Sequence, residues 1–443
     1  MFYLNRDIEL DAVLLHKMIS RYNLNVAPRL RKYKNYYDGL HEIMSKHYND
    51  PSKPCSRTVT NYCRNIVDSY SGYLATPGFI SYKSEQDIED IMDILRYNDY
   101  QSEDSDLLMN ALVYGIGCEL MYIDALGHTR FSLIDPAQCF PVYEDTLAGD
   151  LLYFVRIYPL NEWDDSNIYK VDVYSDSFVK HYTMRGLNGS LSFEDEEPHY
   201  FSQVPANVFL MPDEKSIFDC VLGLQDAANE LLSSEIDDYS AFCDAYLALT
   251  GVDANPEDIA AMKKNRVLVL PEGASASWIT KNMNDAQVEN ILKRIHDSIY
   301  RISQCVDFSS DNFNSGVSSG VAIQYKLTGM ENKAGTIEGR MKKALQRRIE
   351  IICGIASLKL GEEVFRDIEI TFKRNIPEDT AATINLINSL KGSVSDATLL
   401  AQVPFITDVN AELEALNKQK QENMSLYSYG FTTGTDEEDE LNE

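Results

Sequence analysis

Apolar positions change period along the chain, first from helical to alternating spacing and then back. Up to about residue 50, Leu10, Val13, Leu14 and Met18 recur at three- and four-residue intervals, which predicts helix. TVTNYCRNIVDSYSGY predicts a further helix, stopped by the Thr76-Pro77-Gly78 turn before a short strand, FISY. Residues 85–115 carry two more amphipathic patterns. From Gly117 to about Tyr200 the period becomes two, which predicts an antiparallel meander of about six strands. Ala125-Leu126-Gly127 marks one of its turns and Asn188-Gly189 a hairpin. Its Tyr and Phe residues read as sheet packing, since no Lys/Arg stripe interleaves them as base stacking would need.

Helical spacing returns at Ser216–Thr250, where Phe218, Leu222, Leu231, Leu232, Ile236, Phe242 and Leu247 predict one long helix or two. PEDIAAMKKN reads as a short helix and Val267–Leu270 as a strand. Another helix has Val288, Ile291, Leu292, Ile295, Ile299 and Ile302 on one side, with Lys293, Arg294, His296 and Arg301 on the other. Residues 308–320, rich in Ser, Asn and Gly, predict a loop. The helix after it is very long yet contains Gly329, Gly335 and Gly339. Interior glycines each cost about 1 kcal/mol against Ala, so a kink or a close packing contact is expected there. A strand, DIEITFKRNI, and two or three helices between Asp379 and Glu422 complete an α+β chain.

Charge alters this picture. The chain has 443 residues, 69 Asp+Glu against 40 Lys+Arg, a net charge of −29 and a pI near 4.6. A protein that gains affinity by neutralising many phosphates has the opposite balance. Hydrophobic residues at 44 % provide enough apolar surface to order most of the chain. The acidic, apolar-poor end TGTDEEDELNE is expected to stay disordered. Seven acids fall in Ser216–Thr250 without a single Lys or Arg, so that segment cannot form opposite-charge pairs of its own. Its acids are expected to meet solvent, a basic partner surface, or something the protein must not bind. The cluster Arg29, Arg31, Lys32 and Lys34 reads as a solvated helix face, the alternative being contact with a polyanion or an acidic neighbour. Eight scattered cysteines without a CxxC pair predict buried thiols in a reducing compartment. Arg6, Asp7, Glu9 and Asp11 interrupt the first apolar stretch, and no apolar run approaches the roughly 18 residues of a membrane span, so a soluble intracellular protein is expected.

Catalytic motifs are missing. There is no GxxxxGK[ST] loop, no HExxH and no GxSxG; Gly115-Ile116-Gly117 lacks the third glycine of a dinucleotide site and runs into a strand. The seven histidines are dispersed, and the stretch from Asp307 lacks the acids of a calcium loop. No cofactor, metal or catalytic residue is assigned, and the chain is expected not to be an enzyme.

Four stretches, in this order, resemble the portal proteins of tailed bacteriophages, in particular the SPP1-like portal family. They are TVTNYCRNIVDSYSGYLATPGFISY, the meander with Asp135-Pro136 and Pro141-Val142-Tyr143, GLQDAANELLSSEIDDYSAFCDAYLALTG, and the loop leading into the long helix with Ser319-Gly320-Val321-Ala322. The resemblance runs from roughly residue 50 to 420. It implies a portal-type fold: a helical wing plus antiparallel β meander over 1–217, stem helices over 218–247 and 284–306, and a small α/β clip over 248–283. It further implies a tunnel loop over 307–319, a second wing part with the long kinked helix over 320–375, a helical crown over 376–424 and a disordered acidic tail over 425–443.

The function so implied is a homo-oligomeric ring, usually of twelve subunits, at one capsid vertex. Double-stranded DNA would pass through it during packaging and ejection. Implied partners are the terminase large subunit, scaffolding and major capsid proteins, and the head completion or adaptor protein, with no membrane. The protein would reside in the host cytoplasm during assembly and then in the virion. Residue by residue, the tunnel loop would comprise Phe308, Ser309, Ser310, Asp311, Asn312, Phe313, Asn314 and Ser315. The stem would line the channel or meet neighbouring subunits through Asp226, Glu230, Asp237, Asp238, Asp244, Lys293, Arg294 and Arg301. The clip would dock terminase and adaptor with Val267, Leu268, Val269, Leu270 and Trp278. The alternative is an acidic intracellular adaptor or scaffold that binds a basic partner without forming a ring.

Overall fold

The computed structural model describes residues 2–50, 53–76, 78, 80–161, 167–187, 189–242, 246–250, 273, 275–279, 285–308, 320–355, 364–374, 385, 387–400, 403, 409, 412–413 and 415–420. One compact unit comprises Met1–Asn314 and Lys326–Asn375; the other comprises Ser315–Tyr325 and Ile376–Glu443.

The first unit opens with a strand, β1 (Phe2–Leu4), where helical spacing had suggested helix. Helix α1 (Ala12–Asn25) starts where Asp11 accepts the Leu14 amide at 2.7 Å, and buries Leu15, Met18, Ile19 and Tyr22. Helix α2 (Ala27–Tyr37) has Pro28 in its first turn and buries Leu30, Tyr33 and Tyr36. Helix α3 (Tyr62–Leu74) is capped by Asn61, which accepts the Arg64 amide at 2.9 Å. Strand β2 (Ile80–Lys83) leads into α4 (Glu89–Tyr97) and α5 (Tyr100–Tyr114). Gly115 ends α5 at φ +82°, and a Cβ there would stand 2.6 Å from the Lys215 backbone; Gly117 lies as close to the Leu107 carbonyl. Packing therefore accounts for the Gly-Ile-Gly sequence, since only glycine permits the left-handed turn and the close approach.

Eight strands follow, but they do not form one meander. β3 (Ile116–Ile123) and β4 (Thr129–Ile134) join β10 (Ala206–Leu210) in a three-stranded antiparallel sheet of order β10-β3-β4. β5 (Cys139–Glu144), β6 (Leu151–Pro159), β7 (Ile168–Tyr174), β8 (Phe178–Arg185) and β9 (Leu191–Pro198) form the second sheet, whose first strand is β1, running parallel to β5. The break falls at Asp135-Pro136, where the Asp135 carboxylate accepts the Ala137 amide at 2.8 Å and the chain makes a single 3₁₀ turn. Period-two patterning marks strands but does not specify which strands pair. Cys118, Leu120 and Ile134 from the small sheet pack against Cys139 and Phe154 from the large one.

Helix α6 (Leu222–Phe242) and α7 (Asp285–Ser303) pack side by side, with the hairpin β11 (Tyr246–Thr250) and β12 (Ser275–Ile279) between them in sequence. Helix α8 (Gly320–Cys353) is unbroken over 34 residues. Its glycines mark no close contact, for a Cβ at Gly329, Gly335 or Gly339 would meet nothing within 4 Å; this corrects the packing expected from them. β13 (Glu369–Phe372) returns to pair with β2. In the second unit the short helix Asp396–Leu400 buries Leu399. Five described cysteines are buried, Cys55 is half-buried, and Cys220 is exposed, contrary to the expectation for it. Among the described residues no helix is long and apolar enough to cross a membrane.

Candidate functional site

The middle of the acidic segment folds as α6, while Leu247, expected in helix, lies in β11; four polar side chains of α6 turn inward. Gln225, Asn229, Ser233 and Asp237, spaced by four, form one buried stripe. Along it runs the extended segment before α3, whose alternate amides are taken up in order. Tyr62 donates to Gln225 Oε1 at 2.9 Å, Thr60 to Asn229 Oδ1 at 3.0 Å, Thr58 to Ser233 Oγ at 3.0 Å and Ser56 to Asp237 Oδ1 at 2.6 Å. Four helical residues rise about 6.0 Å and two extended residues about 6.6 Å, so the two repeats stay in step over four rungs. The helix side chains thus serve the segment as a neighbouring strand would.

Asn229 also donates to His41 Nδ1 at 2.8 Å, while His41 Nε2 lies 2.9 Å from the Tyr36 carbonyl. His41 is thereby held as the Nε2–H tautomer, and burial lowers its pKa, keeping it neutral.

Asp219, Asp226, Glu230 and Asp237 of this segment find partners inside the chain. Asp226 accepts the Tyr36 hydroxyl at 2.7 Å, and Asp219 accepts the Tyr33 hydroxyl at 2.6 Å and Lys215 at 3.0 Å. Lys46 lies between Glu230 at 3.3 Å and Asp237 at 3.4 Å. Burial works against charge on Asp237, but the Ser56 amide and Lys46 outweigh it and hold its pKa below the usual range. The cations and hydroxyls that α6 lacks are therefore supplied by Lys46, Tyr33 and Tyr36, from the N-terminal helical region. Asp226, Glu230 and Asp237 are brought together with these groups; Asp238 is half-buried, and Asp244 lies outside the described residues.

Helix α7 is fastened at its C-terminal end. Tyr70 donates to the carbonyls of Ser303 and Gln304, both at 3.1 Å, and Lys333 of α8 donates to Ser303 at 3.2 Å and to Ile217 at 3.5 Å. Burial lowers the Lys333 pKa. His296 packs on Tyr300 and Tyr62 and lies 3.5 Å from Asp307, where the chain leaves for the expected tunnel loop. Lys293, Arg294 and Arg301 are exposed and have no ion pair with a described residue; Arg294 and Arg301, seven apart, share a face. Of the loop residues Phe308 is described and half-exposed, and Ser309–Ser315 lie outside the described residues. Of the residues expected in the clip, Trp278 stands opposite Leu247 in the antiparallel β11–β12 pair, and Val267–Leu270 lie outside the described residues.

The family model described as phage portal protein, SPP1 Gp6-like, matches residues 16–426. The chain belongs to this portal family. It is 21 % identical over 444 residues to the portal protein of Bacillus phage SPP1, covering 93 % of this chain and 87 % of that one. It is 21 % identical over 436 residues to the portal protein of Clostridium phage phiCD119, covering 91 % and 95 %. The match begins well before the stretches that carried the resemblance and leaves β1 outside it.

In this portal-family chain a fully buried electrostatic junction involves residues that sequence reasoning missed. Arg348 of α8 is fully buried, paired with Asp104 of α5 and, through two nitrogens, with Glu119 of β3. Tyr82 donates to Asp104 at 2.8 Å, Asn207 donates to Glu119 at 2.7 Å, and the guanidinium lies 4.5 Å from the Phe131 ring centroid. A second junction joins Arg374 to Glu331 and Glu338 of α8, with Tyr73 of α3 donating to Glu331. The available signal was Glu119 itself, an acid within the apolar strand GCELMYI, whose burial requires a cation from elsewhere.

Proposed function

We propose that this chain forms a portal ring at one capsid vertex, through which double-stranded DNA is packaged and later ejected. The observation that carries the reading is the family match over residues 16–426, nearly the whole chain, with two relatives named portal protein. The ring is non-enzymatic, and a separate terminase drives the DNA. Terminase and then the head–tail adaptor dock on the clip, 248–283, around Val267–Leu270 and Trp278. Residues 307–319 form the tunnel loop. The protein assembles in the host cytoplasm with scaffolding and capsid proteins and ends in the virion.

The electrostatics support this reading. A conduit must let a polyanion slide, and a chain of net charge −29 has low non-specific affinity for phosphates. With Asp226, Glu230 and Asp237 engaged inside the chain, the exposed Lys293, Arg294 and Arg301 are available to meet a neighbouring subunit. Light scattering coupled to size exclusion, with negative-stain images, tests the proposal. Closed rings are expected, and monomers alone at high concentration would refute it.

A further inference from the structure

The six-stranded sheet ends on one side in β9, whose sequence LSFEDEEP is exposed at every position but its first. Two of its acids are engaged: Glu194 with Lys170 at 3.3 Å and Glu196 with Lys180 at 3.9 Å. Asp195 and Glu197 have no cation partner among the described residues. A register shift opposite His181/Tyr182 places Asp195 and Glu197, which pair with His181 and Val179, on one face of the strand. Phe193, 56 % exposed and opposite Tyr182, falls on the other face. Among the described residues the outer backbone edge of β9 has no strand partner, so the strand offers hydrogen bonds, carboxylates and an aromatic ring together.

Cations, with the acids Asp150, Asp176 and Glu350 beside them, line a cleft of about 1010 Å³ between α8 and the ends of β5 and β6. Arg340, Lys343 and Arg347 of α8 line it at positions i, i+3 and i+7, one face of the helix. Arg347 is held by Gln203 and by Glu350 at 2.9 Å. Arg340 and Lys343 are exposed and have no carboxylate partner among the described residues. The cleft also has apolar lining, including Val208 and Leu210 of β10. In a chain with 29 more acids than bases, a cleft with unneutralised cations is a local inversion of sign.

We infer that this cleft receives the β9 edge of a second copy of the chain, with Asp195 and Glu197 meeting Arg340 and Lys343. Charge complementarity argues for that occupant, and so does spacing. Carboxylates two residues apart on a strand stand about 7 Å apart. Cations three residues apart on a helix stand about 5–6 Å apart at Cβ, and their long side chains cover the difference. Phe193, on the other face, is available to the apolar lining. The two surfaces differ, so the contact is heterologous and propagates from copy to copy until it closes. The inference rests on the ring proposed above and names the surfaces that build it.

Charge reversal in the full-length chain tests it, read by mass photometry and sedimentation velocity. D195K/E197K and R340E/K343E change exposed side chains, so each is expected to keep the parent's circular dichroism and melting temperature. Each alone should raise the concentration needed for half assembly at least about tenfold, because like charges then face each other. Mixed in equal amounts, the two variants should assemble again, since a lysine-bearing edge meets a glutamate-bearing cleft. If both variants assemble as the parent does, or if the mixture fails to recover, the inference is overturned while the ring reading stands. A parent that never assembles overturns both.

Discussion

At the scale of single residues, the charges that matter most to folding are the ones farthest from solvent. Arg348 has Asp104 and Glu119 as partners with no water between them, so removing the cation leaves two buried carboxylates uncompensated. Arg348→Met is expected to cost roughly 3–5 kcal/mol in urea unfolding, the range for breaking one partner of a buried pair. Glu103 lies beside this cluster, with Oε2 buried and unbonded. Burial, and then repulsion from Glu119, push its pKa up to about 7. A carboxylate whose pKa is raised on folding contributes stability below its unfolded value, which is lost as pH rises through the folded one. Melting temperature should therefore fall from about pH 4.5 to pH 7, and Glu103→Gln should flatten that slope. An unchanged slope in the variant would remove Glu103 from the explanation. None of this was legible from spacing alone, because Asp104, Glu119 and Arg348 are brought together from a helix, a strand and a distant helix.

At the scale of elements, helices start at caps that sequence reading did not pick out, as at Asp11 and Asn61, where a side-chain oxygen takes up a free amide of the first turn. The polar stripe of α6 was not read as a packing surface, because a run of Gln, Asn, Ser and Asp at four-residue spacing looks like a solvated face. Its role appears only when the segment 56–62 is beside it. Asn229 is the centre of that ladder, serving the Thr60 amide and His41 at once. Asn229→Ala is expected to cost about 1–3 kcal/mol, the penalty for leaving a buried polar group unpaired. Hydrogen exchange should localise the loosening to amides of the segment and the start of α3; uniform loosening across the first unit would argue against a local ladder. The division of the strands into two sheets escaped sequence reading for a related reason, since alternation places residues on faces and says nothing of which edges meet.

At the scale of the whole molecule, deleting Ser309–Ser315 is expected to leave ring assembly intact and to impair DNA packaging or retention. Particle mass and packaged genome content check this, and loss of assembly would show that the segment is structural. Composition and periodicity by themselves determined an acidic α+β chain with a β-rich middle and a long helix near its end, since helical and strand periods are local properties and charge is a sum. The order of its stretches also determined the family resemblance. Where the acids of α6 point was decided only in three dimensions. Ser216–Thr250, of which α6 is the middle, holds seven acids and no base of its own, and Tyr33, Tyr36 and Lys46 reach Asp219, Asp226, Glu230 and Asp237 from well over a hundred residues away. Electrostatic partners are chosen by distance in space, with which the interaction weakens, and not by distance along the chain.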